Sequence, residues 1–242
     1  MKISLITISC NNPKELFATI QSVKKNYYKK LEYIIVLGSK DKESLDILKK
    51  NQYYISKAII EPDKGIYDAL NKGVKNSSGN IICFVHSGDK LKTNYFSTII
   101  KNIKHHDYVY GNINLITKKN NKLLLKSKRI DRLNNNILDI PILHPGLVVK
   151  KKIFNQIGYF KNKFIISDKL WMLKLIKSNF SGKKIDNVLV DFKMNGSSAK
   201  FSIIKEYYSV SRKYNLNILV IFFILIKLFL IIFYYKLIYY AK

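Results

Sequence analysis

The residues best suited to chemistry lie between positions 61 and 89, in the run EPDKGIYDALNKGVKNSSGNIICFVHSGD. The run contains a turn, a short helical pattern, a glycine-marked break and an apolar strand pattern at 81–85, and it closes on Ser87, Gly88 and Asp89. A carboxylate set directly behind a buried strand can bind a hard divalent cation, Mg2+ or Mn2+. Such a cation bridges two phosphates and makes a nucleoside diphosphate a better leaving group. A single acid is a weak signal, because Asp in such a loop also caps helices.

The elements around this run say where Asp89 sits. Residues 2–9 are an apolar, β-branched run ending at Cys10, Asn11, Asn12 and Pro13, which reads as a buried strand and a turn. From Pro13, Leu16, Ile20 and Val23 recur at helical spacing. Residues 31–37 and 58–61 read as further strands, the first followed by a turn at Gly38, Ser39 and Lys40 and by a helix carrying Leu45 and Leu48. A helix is expected over 66–74, a strand over 81–85 and a helix over 93–103. Strand alternating with helix predicts right-handed βαβ units, an α/β fold and a Rossmann-like, mostly parallel sheet flanked by helices. Ligands of such sheets bind at the carboxyl ends of the strands, where Asn11, Gly38, Asp63 and residues 86–89 fall.

The second half is less regular. Short strands are expected at 108–110, 147–149 and 188–192, with a β-ribbon near 123–125 inside the Lys- and Asn-rich segment 118–136. A helix over 151–157 closes on Gly158, and Ser167 and Asp168 read as the cap of a helix over 169–177. His144, before Pro145 and Gly146, contacts a phosphate or an acceptor, or is a structural histidine ahead of a turn.

The chain has 242 residues and a formal net charge of +27, enough for one domain with one core. Only Arg129, Arg132 and Arg212 are arginines, so base reading and planar phosphate clamping are disfavoured and no nucleic-acid partner is expected. A lysine-rich surface still suits anionic lipid headgroups. Cys10 and Cys83 both read as small core residues, not as a disulfide or a zinc set. With no signal-peptide pattern at the amino terminus, the bulk of the chain is expected in the cytoplasm.

The organisation expected is a domain at 1–205, divided near 110, and a basic and hydrophobic tail at 206–242. Within the tail, residues 218–240 carry Lys227 and Lys236 as their only charges. At about 1.5 Å of rise per residue they reach roughly 34 Å, the span of a bilayer. The apolar side chains outweigh the cost of burying Lys227, so a spanning or deeply embedded anchor is preferred to an in-plane helix or a soluble interface helix. The tail's lysines and arginine place the preceding segment on the cytoplasmic side of a bacterial inner membrane.

The segments TISCNNPKEL, DKGIYDALNKG, SSGNIICFVHSGD, HPGLVVKKKIFNQIGYF and FIISDKLWMLKL, in this order and at this spacing, resemble the family 2 glycosyltransferases, in the bacterial branch that builds surface polysaccharides and lipooligosaccharides. The resemblance covers about residues 3–198 and implies a GT-A fold. It implies an inverting, metal-dependent transfer of a hexose or N-acetylhexosamine from a nucleotide-diphosphate sugar to a glycan acceptor, lipid-linked or free. On the donor side it points to Thr7, Asn11, Gly38 and Asp41 for the nucleoside, and to Asp63, Gly65, Asp68, Asn71 and Gly88 beside the donor. It makes Asp89 the metal ligand, Asp168 the general base, and His144 and Trp171 acceptor-side residues. The sequence departs from the family pattern at His86 and Gly88, where acids or Asn are usual, and at Leu37, where many members have Asp. A non-catalytic nucleotide-sugar-binding relative is the alternative, and a second copy of the chain is a possible partner.

Overall fold

The computed structural model describes residues 1–117, 120–130, 140–193, 202–213, 221–223, 225–230 and 232–233. The first half follows the sequence closely: β1 (Ile3–Ser9), α1 (Pro13–Lys24), β2 (Leu31–Leu37), α2 (Lys42–Lys50), β3 (Lys57–Ile60), α3 (Ile66–Lys75) and β4 (Ile81–Phe84). These strands lie in the order β3-β2-β1-β4 and are all parallel. The register pairs Ser9 with Leu37 and Leu37 with Ile60, so the loops that follow β1, β2 and β3 emerge at one edge. Every residue of β1 and β4 is buried, which explains their unbroken apolar runs.

The second half comprises β5 (Lys90–Leu91), α4 (Tyr95–Ile103), β6 (Tyr108–Ile116), β7 (Lys122–Leu125), β8 (Leu147–Lys150), α5 (Lys152–Ile157), α6 (Ser167–Lys177), β9 (Gly182–Lys193) and α7 (Ser202–Lys213). The sheet continues β4-β8-β6-β9-β5, with β7 paired to β6. Here the mostly parallel expectation is corrected. β8 runs antiparallel to both β4 and β6, and β5 antiparallel to β9, while β6 and β9 are parallel. A short apolar run has no direction in sequence, so only the chain reversals around β8 reveal the mixed sheet.

β6 and β9 also outrun their apolar stretches. A register shift interrupts their pairing around Asn112, whose amide donates to the Asp186 carbonyl and whose oxygen accepts from Ser127 N–H, satisfying a buried polar side chain inside the sheet.

The sheet separates two cores. In β1, Ile3 and Leu5 pack with α1 and α4 residues on one face, while Ile6 and Ile8 pack with α3, α5 and α6 residues on the other. A third cluster joins Ile166 and Leu173 to Ile203, Tyr207 and Val210 of α7 and to Leu228 and Ile232. Among the described residues no helix is long and apolar enough to cross a membrane. The glycine-serine segment at 194–198, residues 118–119 and 131–139 of the Lys- and Asn-rich stretch, and the end of the tail lie outside the described residues.

Candidate active site

A cleft of about 480 Å3 opens at the carboxyl ends of β1, β3 and β4, and Asp63, Gly65, Tyr67, His86, Asp89, His144, Asp168 and Lys193 are among its walls. At the β2–β3 end the backbones come close together. A side chain at Gly38 has no room, since a Cβ there would lie 2.0 Å from the Asp63 Oδ2. The Asp63 carboxylate also accepts from Gly65 N–H at 2.9 Å, and Gly65 (φ 111°) turns the chain into α3. Asn11 sits in the left-handed region and donates its N–H to Ser39 Oγ, whose hydroxyl in turn donates to Asp41. Asp41 caps α2 through Ser44 N–H, and that bond holds its carboxyl below the usual range.

The floor is the turn from His86 to Asp89. Gly88 adopts φ 102°, which only glycine takes without strain, and its N–H donates to Thr19 Oγ1 on α1 at 2.9 Å. The Asp89 side chain is almost fully buried, 2% exposed, and accepts from His86 N–H at 3.2 Å and Lys193 N–H at 3.0 Å. Burial pushes its carboxyl up to about 7 against these two bonds. Lys193 Nζ pairs with Glu15, so its charge is already matched.

The fit of a divalent cation can be judged from these atoms. Among the described residues no three His, Cys, Asp or Glu side chains gather into a metal cage. Asp89 instead offers one buried carboxylate with no salt-bridge partner among the described residues, which matches an ion held by one acid, substrate phosphates and waters. Asp89 is therefore the residue that would hold Mg2+ or Mn2+.

Asp168 also lines the cleft. The structure assigns Ile166 to the N-cap of α6 with no side-chain capping bond, so Asp168 does not cap as the sequence suggested. Its Oδ1 lies 2.9 Å from the Tyr67 hydroxyl, which also contacts the Ile165 carbonyl. Burial first, and the Asp168 charge second, push the phenol well above its ordinary value, so it stays protonated.

Two histidine rings, His86 and His144, line the cleft 5.9 Å apart and edge to face. Burial drives His86 down to about 3 and also lowers His144, so both are neutral. His144 Nε2 is buried without a hydrogen-bond partner among the described residues, and the residue lines the cleft. Such an atom can take a polar group from water or from a ligand.

Several expected contacts are instead structural. Thr7 is fully buried and bonds the Tyr33 hydroxyl at 3.0 Å, so it steadies β1 from inside the core. Both ends of the Asn71 amide are taken by the Phe160 backbone, at 2.8 and 3.1 Å. Asp68 accepts first from Lys64 N–H, is paired with Lys72, and is held below its ordinary value by these bonds. Trp171 is buried, stacks on Phe154 at 4.6 Å and donates Nε1–H to the Gly158 carbonyl. It faces a separate pocket of about 60 Å3 rather than the acceptor wall. Cys10, read as core, is exposed at the cleft, while Cys83 is buried.

The residues missed are Tyr67 and Lys193, while His86 was placed at the strand end without a role. Tyr67 and Asn71 are four apart on α3 and both reach the segment 158–168, so spacing within GIYDALNKG held a usable signal. Lys193 acts through backbone N–H, which no sequence pattern reveals.

A parallel half-sheet whose strand ends frame a cleft, joined to a mixed half whose chain brings Asp168 into the same cleft, defines a GT-A sugar-transferring enzyme. The chain belongs to glycosyl transferase family 2, whose family profile matches residues 4–174. It is 25% identical over 208 residues to an Escherichia coli UDP-Gal:alpha-D-GlcNAc-diphosphoundecaprenol beta-1,3-galactosyltransferase, covering 78% of this chain and 72% of that one. An uncharacterised glycosyltransferase of Mycobacterium tuberculosis is 34% identical over 90 residues, which span 37% of this chain and about a third of that protein's length, 34%. Among solved structures, Staphylococcus aureus TarS 1–349 in complex with UDP-GlcNAc superposes with a TM-score of 0.71 at 17% identity, over 95% of this chain and 72% of that one. The mannosyltransferase PcManGT from Pyrobaculum calidifontis, in complex with GDP-Man and Mn2+, gives 0.64 at 13% identity, over 89% and 65%. These likenesses establish the GT-A fold.

Proposed function

We propose that this glycosyltransferase moves a hexose or N-acetylhexosamine from a nucleotide-diphosphate sugar to a hydroxyl of a lipid-linked glycan, with inversion at the anomeric carbon. The observation that carries the reading is the Asp168 carboxylate, held by the Tyr67 hydroxyl in the same cleft that Asp89 lines.

The acceptor hydroxyl gives its proton to Asp168 while its oxygen bonds the anomeric carbon, and the bond from that carbon to the diphosphate oxygen breaks on the opposite side. One in-line displacement inverts the centre. Asp63 and the Gly38 turn bind the nucleoside end, and His144 Nε2 takes a polar group of the donor or the acceptor. A divalent cation at Asp89, when bound, neutralises the diphosphate charge. Support for a UDP-linked donor and a polyprenyl-diphosphate acceptor comes from the name of the Escherichia coli relative and from the ligand of the TarS complex. An enzyme that meets a soluble donor and a lipid-linked acceptor works at a membrane face, here the cytoplasmic face of a bacterial inner membrane.

Replacing Asp168→Asn tests the assignment. Calorimetric donor binding should stay within about threefold of wild type while transfer falls by at least about a thousandfold, because the base is lost and the donor side is untouched. Transfer within tenfold of wild type would remove Asp168 from the role.

A further inference from the structure

The described residues of the tail at 221–223, 225–230 and 232–233 are helical, and their two sides differ. Ile221, Leu228 and Ile232 are buried, the last two in the cluster formed with α6 and α7. At about 100° per residue these three fall within a sector of about 40°. Phe222, Phe223, Ile226, Phe229, Leu230 and Phe233 fall in a sector of about 120° on the other side, and they are from 42 to 68% exposed. Lys227 is exposed at the edge of that sector. A contiguous exposed face of four phenylalanines and two aliphatics marks an interaction surface.

We infer that this face lies flat on an anionic lipid bilayer, with the helix in the membrane plane and its inner side fastened to the domain. Three observations select that occupant. The inner side is already used: a helix whose Leu228 and Ile232 are packed against Ile203, Tyr207 and Val210 cannot also insert along its length across the bilayer. The charge is one-sided, since residues 202–242 contain Lys205, Arg212, Lys213, Lys227, Lys236 and Lys242 against Glu206 as their one acid. The Glu206 carboxylate is itself engaged with the N–H groups of Ile165 and Ile166. A chain of net charge +27 repels a second copy and is drawn to anionic headgroups, where Lys227 can extend its amine beside the apolar face.

The lipid-facing stripe is set by what the domain leaves uncovered, not by lysines clustering on one side. The placement orients the cleft as well: Ile203 belongs both to the cluster under the tail and to the cleft wall, so the cleft opens beside the lipid surface. This last step rests on the glycosyltransferase reading. The docking itself does not.

The test uses the full chain and vesicles of phosphatidylglycerol and phosphatidylethanolamine, with phosphatidylcholine vesicles for comparison and no donor or acceptor. Tryptophan is placed singly at Phe222, Ile226 and Phe233, over a constant background from buried Trp171, and quenched with lipids brominated at stepped depths. An in-plane helix gives the same shallow depth at all three sites, whereas a spanning helix spreads 222 and 233 by about 16 Å. Phe222→Ser with Phe229→Ser should lower partition into anionic vesicles at least tenfold, and 0.5 M salt should lower it further. The melting temperature should not fall, because both side chains are outside the core. A depth gradient, equal binding to phosphatidylcholine, or unchanged binding by the double variant would overturn the inference. So would a concentration-dependent dimer that the double variant dissolves. Because the assay reads binding alone, its failure leaves the transfer reaction standing, and loss of transfer leaves the docking standing.

Discussion

Gly38→Ala isolates the donor end of the cleft. The new Cβ would fall 2.0 Å from Asp63 Oδ2, and ordinary contact begins at 3.4 Å, so the carboxylate must retreat by about 1.4 Å. That movement takes Asp63 off the Gly65 N–H, now at 2.9 Å, and away from any nucleoside atom it contacts. A lost hydrogen bond to a charged group costs about 1.5–3 kcal/mol, so donor affinity should drop about tenfold to a hundredfold. Stability should fall by no more than the roughly 1.5–3 kcal/mol of the lost Gly65 bond, because Gly38 is not in the left-handed region and the clashing atoms end a movable side chain. Calorimetric titration of UDP- and GDP-sugars into wild type, Gly38→Ala, Asp63→Ala and the double variant separates the effects. The reasoning predicts that Gly38→Ala does nothing further once Asp63 is gone. Fully additive losses, or a Gly38→Ala protein that binds donor like wild type, would refute it.

Other outcomes follow from the same contacts. Tyr67→Phe removes the hydroxyl that holds Asp168, and steady-state kinetics should show kcat reduced about tenfold with the donor KM within twofold. Asn71→Ala leaves both backbone groups of Phe160 without their partner and should cost about 2–3 kcal/mol in urea denaturation. Burial raises the Asp89 carboxyl to about 7, so between about pH 4 and pH 7 the folded chain keeps a proton that the unfolded chain has released, and stability falls as pH rises. In chelator, Asp89→Asn should therefore gain about 2–4 kcal/mol over wild type at pH 8 and nothing at pH 4. A pH-independent gap in melts of the two proteins would contradict that cause.

Much of the donor half was legible because burial on both faces writes strands as unbroken apolar runs, and the strand-end residues follow from strand order. β1, β2 and β4 were placed to within two residues for this reason. The second half resisted because β6 and β9 carry Asn112, Lys183, Lys184 and Asp186 within the strands, and strand direction is set by tertiary return paths. In the site, the family resemblance pointed to Asp89 and Asp168, but not to the groups that hold them in the cleft. Asn71 and Trp171 sit in the right motifs and yet serve the backbone of 158–162, since a motif marks proximity and not which way a side chain turns. The tail illustrates the same limit: hydropathy measured how apolar it is, while its exposure shows which face the domain already covers.

The central claim is inverting sugar transfer in this cleft. It is met most directly by incubating the purified chain with a panel of UDP-, GDP- and dTDP-hexoses and N-acetylhexosamines and a polyprenyl-diphosphate glycan, then reading the anomeric configuration of the product by proton NMR. The account predicts one donor class that yields a product of configuration opposite to the donor's. A product that retains the configuration, or no transfer from any donor in the panel, would contradict it.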